Sequence, residues 1–315
     1  VAAVLVDAAL AAELGLDRLD REAVRLNRAV AAALAHALVD HDLRDGRGQL
    51  PALALASLLR GALLVVDQHG DARDGGEHLL RLPQPLAILL AHPRAARHLI
   101  DPSKLVASAT SVYGKERFAK LYGTIDPIPQ ERVRALEDGA TFELGGATFT
   151  VHHTAGHAKH HFIVHDPRIH TVYTGDTFGL VYPQLQRGKR FALASTSPTD
   201  FDPIEARKSI DKVLSLEESA ACLTHFDEVT DLDEVASQLR AWIARSEGWL
   251  HAAAASGESQ VVNHARIVAA LRASIESESK RLGLSLSESD WELLATDIDL
   301  NAQGIAFVAD KMRAR

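Results

Sequence analysis

The 315-residue chain has one cysteine, few aromatic residues and no long apolar run. Because Cys222 has no second cysteine to pair with, an internal disulfide and a cysteine-based zinc site are excluded, and a reducing compartment is expected. Apolar stretches such as Ala62–Val66 are far shorter than the roughly 20 residues of a membrane span. The first residues show no basic segment followed by an apolar core. No signal peptide is therefore predicted, and the expected localisation is cytoplasmic.

Runs of Lys and Arg are also missing. The chain has 34 Lys and Arg against 42 Asp and Glu, a net charge of −8 and a pI near 6.0. This balance argues against a nucleic-acid partner and against an anionic membrane surface. The expected partner is a small-molecule substrate, and nothing in the sequence excludes an oligomer. With 47% apolar and 24% charged residues, the composition is that of a globular protein with an ample core.

Residues 1–66 contain no lysine, and they also contain no isoleucine, threonine or aromatic residue, which β-rich segments use. The first isoleucine, lysine, threonine and aromatic residue are Ile88, Lys104, Thr110 and Tyr113. Stretches such as 22–38 combine high helix propensity with roughly helical apolar spacing, which predicts an Ala-rich helical region. The alternative is that this part of the sequence is recorded incorrectly.

Histidine is abundant in one stretch, Phe149–Asp176, which contains seven histidines and two aspartates around two short apolar runs. Neutral imidazole is the commonest protein ligand for transition metals. The stretch therefore predicts a metal site.

The apolar patterns around this stretch predict β-strands and a hairpin. A hairpin is predicted where Gly145–Gly146 separates two alternating segments, because a two-residue glycine turn suits that connection. The predicted strands are Leu86–Ala91, Thr141–Leu144, Ala147–His152, His161–His165, His170–Thr174 and Ala220–Thr224.

Helices and one long loop make up most of the remainder. Gly179–Thr199 has no period and is predicted to be a functional loop. Asp202 is predicted to cap a helix that runs to about Leu216. We expect a domain of residues 1–230, followed by a helical C-terminal segment of residues 231–315. The helices predicted in that segment are Leu232–Trp249, Asn263–Leu282 and Ser287–Met312.

Three of the predicted strands lead into a loop that contains a residue able to bind metal: His157 in TAGH, Asp176 in TGD and His225 in TH. The ends of strands in an open sheet expose side chains to a common crevice. Two histidines and an aspartate suit Zn²⁺, Fe²⁺ or Mn²⁺, and a carboxylate can bridge two cations about 3.5–4 Å apart. Two such cations lower the pKa of a water between them from about 15.7 towards 7.

These motifs, in this order and at this spacing, resemble the metallo-β-lactamase superfamily. HPRAARHLIDPSKL and LNAQG look like segments of its uncharacterised hydrolase-like members, and the resemblance extends from about Asp67 to the C-terminus. It implies an α/β fold, the αββα four-layer sandwich. It also implies a cofactor of two divalent metal ions, zinc first, with iron or manganese as alternatives. By carry-over, His157 binds one metal, Asp176 bridges both and His225 binds the second.

The first metal motif of that superfamily, H-x-H-x-D-H, departs from its pattern here. Residues 68–73 read QHGDAR, so that a one-residue shift places His69 and Asp71 at the second histidine and the aspartate. We take both as further candidate metal ligands and Asp71 as the candidate proton acceptor. The alternative, a solvated polar loop, has equal weight. The closest literal pattern, at residues 36–41, has Leu38 in place of the second histidine. It lies in a helical-looking stretch, and His36, Asp40 and His41 are assigned to the polar face of a helix.

The resemblance implies a hydrolase that uses a metal-bound hydroxide on an ester, thioester, lactone or phosphoester. The degenerate first motif leaves open a non-hydrolytic relative, either a di-iron oxygen-binding or redox protein or a metal-poor pseudoenzyme. One of His153, His160 and His161 is a candidate donor that orients a ligand. His92, at a strand end, is another candidate for that role.

Peptide mass spectrometry distinguishes an altered first motif from an incorrectly recorded one. If the recorded residues are the natural ones, trypsin releases residues 61–73 as the peptide GALLVVDQHGDAR. Detection of this peptide establishes the altered motif. A peptide that contains an intact H-x-H-x-D-H in its place would contradict it.

Overall fold

The computed structural model describes residues 4–5, 62–65, 88–104, 106–107, 110, 115–116, 125–144, 147–196, 200–224 and 228–314. The chain divides into two compact units. The first comprises Val1–His153 and Phe162–Tyr173, and the second comprises Thr154–His161 and Thr174–Arg315. The domain boundary expected near residue 230 stays a prediction.

Within the described residues, one sheet has four strands in the order β1-β2-β3-β4. β2 is antiparallel to β3, whereas the outer pairs β1–β2 and β3–β4 are parallel. The predicted strand at Leu86–Ala91 corresponds to β3. The four strands are β1 (Val4–Leu5), β2 (Ala62–Val65), β3 (Ile88–Ala91) and β4 (Val133–Ala135).

Strand β3 leads directly into helix α1 (Pro93–Ile100). His92 is the N-cap residue, and its Nδ1 accepts the backbone N–H of Arg94 at 3.0 Å. Pro93 suits the first helical position because an N–H there would have no intrahelical partner, so that nothing is lost by its absence. The ring of His92 also contacts that of His153, with 4.1 Å between centroids. The described contacts thus give His92 a helix-capping role, and its suggested role in orienting a metal ligand stays a prediction.

A second sheet of the described part of the chain has six strands in the order β10-β9-β8-β7-β6-β5. The predicted hairpin is confirmed, because Leu144 pairs with Ala147 and only two residues connect the strands. Its inward side chains include Phe142 and Phe149, whose stacked rings lie 5.1 Å apart. The two-residue strand β10 was not predicted. The strands are β5 (Thr141–Leu144), β6 (Ala147–His153), β7 (Phe162–Asp166), β8 (Thr171–Gly175), β9 (Ala220–Leu223) and β10 (Glu228–Val229).

The second unit contains the helices predicted after residue 200. The helical region predicted within residues 1–66 lies outside the described residues, except at 4–5 and 62–65, which are strands. Asp202 caps α2 as expected, since its carboxylate accepts the N–H groups of Ile204 and Glu205. The described residues of the Gly179–Thr199 loop include one 3-10 turn, Pro183–Leu185, and one isolated bridge between Leu180 and Leu193. None of the described helices combines the length and apolarity needed to cross a bilayer. The helices are α2 (Pro203–Leu214), α3 (Leu232–Ala255), α4 (Gln260–Arg281) and α5 (Glu288–Arg313).

Helix α5 begins at a capping box joined to an ion pair. The Ser287 hydroxyl accepts the N–H of Asp290, whose carboxylate accepts the N–H of Ser287 in return. Arg187 donates two hydrogen bonds to the same carboxylate, at 3.1 and 2.7 Å. Arg187, followed by Ser287, lowers the pKa of Asp290 from 3.8 to about 2.

We expect Asp290→Asn to lower the free energy of unfolding at pH 7 by about 1–2 kcal/mol, the scale of a helix cap plus a partly solvated ion pair. Because the folded-state pKa is depressed, this stabilisation is complete above pH 4 and is lost as the pH falls towards 2. Urea unfolding between pH 7 and pH 2 measures the difference. The exposed Glu276→Gln, which breaks only the pair with Lys280, serves as the control. Equal stability of wild type and Asp290→Asn at pH 7 would contradict the prediction.

Candidate metal centre

His157 lies in the loop of residues 154–161, which follows β6. The N–H of Thr154 donates to the carbonyl of His161 at 3.0 Å and closes the loop on itself. Gly156 has a φ of +126°, and a Cβ there would lie 2.3 Å from the backbone nitrogen of Ala206 in α2. The N–H of Asp202 donates to the carbonyl of Gly156 at 2.9 Å. Only glycine allows this close approach, and the start of α2 therefore fixes the loop that contains His157.

Asp176 lies in the turn that follows β8. The N–H of Thr177 donates to the carbonyl of Thr174 at 3.2 Å and forms this turn. Gly175 has a φ of +55°, and a Cβ there would lie 2.4 Å from Nε2 of His161. The glycine thus satisfies the left-handed backbone and leaves room for the imidazole ring beside the chain.

His161 connects the loop of residues 154–161 to the turn that contains Asp176. Its Nε2 accepts the backbone N–H of Asp176 at 3.1 Å. Its Nδ1 lies 2.7 Å from the Thr154 hydroxyl and 3.0 Å from that of Thr177. Burial, followed by the neighbouring His157, lowers the pKa of His161 well below its usual value. The ring is therefore neutral, and since Nε2 is an acceptor, the proton is on Nδ1.

This tautomer makes His161 the acceptor of a backbone hydrogen bond, with Thr154 as the partner of its own N–H. Of the three histidines predicted to orient a ligand, His161 contacts Asp176. In that contact the ring accepts from the main chain, because a backbone N–H can only donate. The expectation that one of the three histidines donates to a ligand side chain stays a prediction.

The central contact of the site joins His157 and Asp176. Nε2 of His157 lies 3.5 Å from Oδ2 of Asp176, and the two side chains are 2% and 1% exposed. Two donors that each lie about 2.1 Å from a tetrahedral zinc ion are about 3.4 Å apart. The donor types and their spacing thus fit two ligands of one cation. Nδ1 of His157 lies 3.1 Å from the hydroxyl of Ser195.

The other predicted ligands, His69, Asp71 and His225, lie outside the described residues. Within the part of the chain that the structure describes, no group of three or more His, Cys, Asp or Glu residues is arranged to hold a metal. Thr224, the residue before His225, donates its N–H to the carbonyl of Gly175 at 3.4 Å. The ends of β9 and β8 are therefore adjacent, as expected of strands that deliver ligands to one place.

Ser195 was not singled out by the sequence. The only signal for it was its position in the Gly179–Thr199 loop, which was predicted to be functional on length alone. A serine within an aperiodic loop has no motif of its own, and its partner His157 is 38 residues away.

Residues 86–225 match the family model of the metallo-beta-lactamase superfamily. The described residues form a mixed α/β fold with a helical C-terminal segment, which confirms the predicted fold class. No curated protein matches the chain.

Solved structures of low sequence identity are similar to the chain. An archaeal metallo-beta-lactamase superfamily protein from Sulfolobus tokodaii is 19% identical, with 69% of each chain covered and a TM-score of 0.43. A metallo-beta-lactamase family protein from Thermus thermophilus is 16% identical over 70% of this chain and 63% of its own, with a TM-score of 0.40. The flavodiiron core of Flv1 from Synechocystis is 13% identical over 47% of this chain and 41% of its own, with a TM-score of 0.32.

Two substitutions of His161 separate its contacts. In His161→Asn the amide nitrogen lies near the position of Nδ1 and keeps the contact with Thr154, but nothing accepts the N–H of Asp176. In His161→Gln the amide oxygen reaches the position of Nε2 and keeps that acceptor. We expect zinc affinity to fall at least tenfold in His161→Asn and less in His161→Gln, because partners that orient a ligand typically contribute roughly 10–100-fold in affinity.

Competition with a chromophoric chelator measures the zinc affinity of these variants. His264→Asn, on α4, is the matched control, since His264 pairs with Asp299 and is unrelated to the Asp176 turn. Equal affinity of the two His161 variants would contradict the assigned acceptor role.

Proposed function

We propose that the protein is a metal-dependent hydrolase with a dinuclear metal site, zinc in the first instance, acting on an ester, thioester, lactone or phosphoester. The observation that supports this most is the buried contact between Nε2 of His157 and Oδ2 of Asp176 at 3.5 Å. Imidazole and carboxylate are a suitable donor set for zinc, and their spacing fits one shared ion. The match of residues 86–225 to the family model of the superfamily supports the reaction class.

The protein's contribution is to hold these donors in one orientation. His157 would present Nε2 to the cation while Nδ1 hydrogen-bonds to Ser195, and Asp176 would present its carboxylate from a turn attached to His161. When bound, the cations lower the pKa of a coordinated water and stabilise negative charge that develops on the substrate oxygen. Both side chains are buried, and a low-dielectric surrounding strengthens these electrostatic effects.

The remaining donors are proposed from the motifs alone. His225 would complete the second cation's ligands beside Asp176, and His69 and Asp71 would come from the altered first motif. Asp71 would accept the proton released during turnover. We expect Asp71→Asn to reduce turnover more than it reduces binding of substrate, as loss of a proton acceptor does.

A second candidate function follows from one observation, the sequence QHGDAR where the superfamily has H-x-H-x-D-H. Fewer imidazoles change the ligand set, and the superfamily includes non-hydrolytic di-iron proteins as well as hydrolases. The alternative is thus a di-iron oxygen-binding or redox protein, or a pseudoenzyme with little metal.

Metal analysis of the purified protein separates these functions. We expect about two zinc ions per chain, lost on dialysis against a chelator and restored by zinc alone. Iron together with a visible absorption band would favour the redox alternative. A protein that contains no metal and takes up none would contradict both metal-dependent proposals.

Activity assays with variants test the site itself. We expect His157→Ala and Asp176→Asn to lose metal and to abolish hydrolysis across a panel of aryl ester, thioester, lactone and phosphodiester substrates, because each removes a donor from the shared ion. His251→Ala, an exposed histidine on α3, is the matched control and should keep both metal and activity. A His157→Ala protein with its full metal content would exclude His157 as a ligand.

A further inference from the structure

Residues 193–196 form a short segment outside the helices and named strands, and it contacts His157 through Ser195. The hydroxyl of Ser195 lies 3.1 Å from Nδ1 of His157. If His157 presents Nε2 to a cation, its Nδ1 must be protonated and must donate to an acceptor, and the Ser195 hydroxyl can accept. The orientation of the imidazole therefore depends on where the backbone places Ser195.

One residue of α5, Asn301, holds the backbone on both sides of Ser195. Its Oδ1 accepts the N–H of Thr196 at 2.7 Å, and its Nδ2 donates to the carbonyl of Ala194 at 3.2 Å. A third contact comes from the Thr196 hydroxyl, which donates to the backbone carbonyl of Asn301 at 3.1 Å. The side-chain amide thus binds the carbonyl before Ser195 and the N–H after it, as a neighbouring β-strand would.

The presence of an asparagine at position 301 indicates that its hydrogen bonds to residues 194 and 196 are needed. Asn301 is only 6% exposed and lies inside a helix, where asparagine is less favourable than alanine or leucine. A buried amide is also unfavourable unless its donor and its acceptor are both satisfied. Here both are satisfied by the segment 193–196, and no apolar residue of similar size offers that pair of contacts.

We infer that Asn301 is a positioning residue for the metal centre, which fixes the Ser195 hydroxyl against Nδ1 of His157 and so orients that imidazole for its cation. The inference rests on the proposed role of His157 as a metal ligand. It gives the C-terminal helix α5 a part in the site, although no residue of α5 is proposed to touch metal or substrate.

A double-mutant cycle on zinc affinity tests this route. We expect Ser195→Ala to weaken zinc binding about tenfold, the lower end of what loss of an orienting partner causes. Asn301→Ala should weaken it by a similar factor. If Asn301 acts through Ser195, adding Asn301→Ala to Ser195→Ala should change the affinity by less than about twofold, because the two residues are then not independent. A further loss of about tenfold in the double variant would overturn the inference.

Matched variants separate positioning from a general loss of stability. Asn263→Ala removes another buried asparagine of the helical segment, whose amide binds the carbonyls of Ala253 and Glu258. This control should lower the melting temperature as Asn301→Ala does but leave zinc affinity unchanged. Ser195→Thr retains a hydroxyl and should recover most of the affinity. Equal loss of affinity in Asn263→Ala would show that Asn301 has only a structural role.

The metal-free protein provides a readout that does not depend on the proposed function. In ¹⁵N-labelled protein without zinc, the ring nitrogens of His157 should shift in Asn301→Ala in the same direction as in Ser195→Ala. If wild type binds no zinc but these shifts occur, the proposed function fails and the positioning contact stands. If His157 is unaffected by Asn301→Ala, the positioning inference fails whatever metal is bound.

Discussion

The hydrogen bond from the N–H of Asp176 to Nε2 of His161 is the contact on which the described half of the site depends. It joins the turn after β8 to the loop of residues 154–161, and these two segments contain the two donors that face each other. A buried N–H needs a hydrogen-bond partner, which here is Nε2 of His161. The single proton of the neutral ring is then on Nδ1, which lies 2.7 Å from the Thr154 hydroxyl. The contact therefore specifies one tautomer, one ring orientation and one position for Asp176.

Two glycines make this contact sterically feasible, and their reasons differ. Gly175 leaves space for the His161 ring, whereas Gly156 allows the start of α2 to lie against the loop. Each also has a positive φ, so a side chain would add strain to a direct overlap. The site thus depends on close packing at Gly156 and Gly175, although neither glycine is a candidate ligand. Helix α2 and strand β8 hold the two segments that contain the donors in place.

Local patterns were sufficient to predict the hairpin, β3, α2 and the three C-terminal helices, because apolar period and capping residues act over a few positions. The same holds for His157 and Asp176, which follow strands that the pattern identifies. Ser195 and Asn301 could not be predicted in this way, since they lie 106 positions apart and meet only through tertiary packing. In the sequence His161 could not be told from the neighbouring histidines. What sets it apart is that its Nε2 accepts the backbone N–H of Asp176, which only the folded chain shows. The first metal motif could not be predicted for a different reason. The expected H-x-H-x-D-H pattern is absent from residues 68–73, and no other local pattern identifies which residues take its place.

The spacing of His157 and Asp176 does not by itself choose between zinc and iron, because both ions accept imidazole and carboxylate at similar distances. The choice depends on what completes the ligand set and on how rigidly the donors are held. A zinc hydrolase needs an open position for water and fixed ligands around it. The Ser195 and His161 contacts supply such fixation for one histidine and one carboxylate. Residues 68–73, QHGDAR, contain one histidine, whereas the intact motif contains three. In the proposed site, fewer imidazoles in the first motif would leave more of the metal affinity to His157 and Asp176, and the inferred positioning of His157 through Asn301 would then have a larger effect on that affinity.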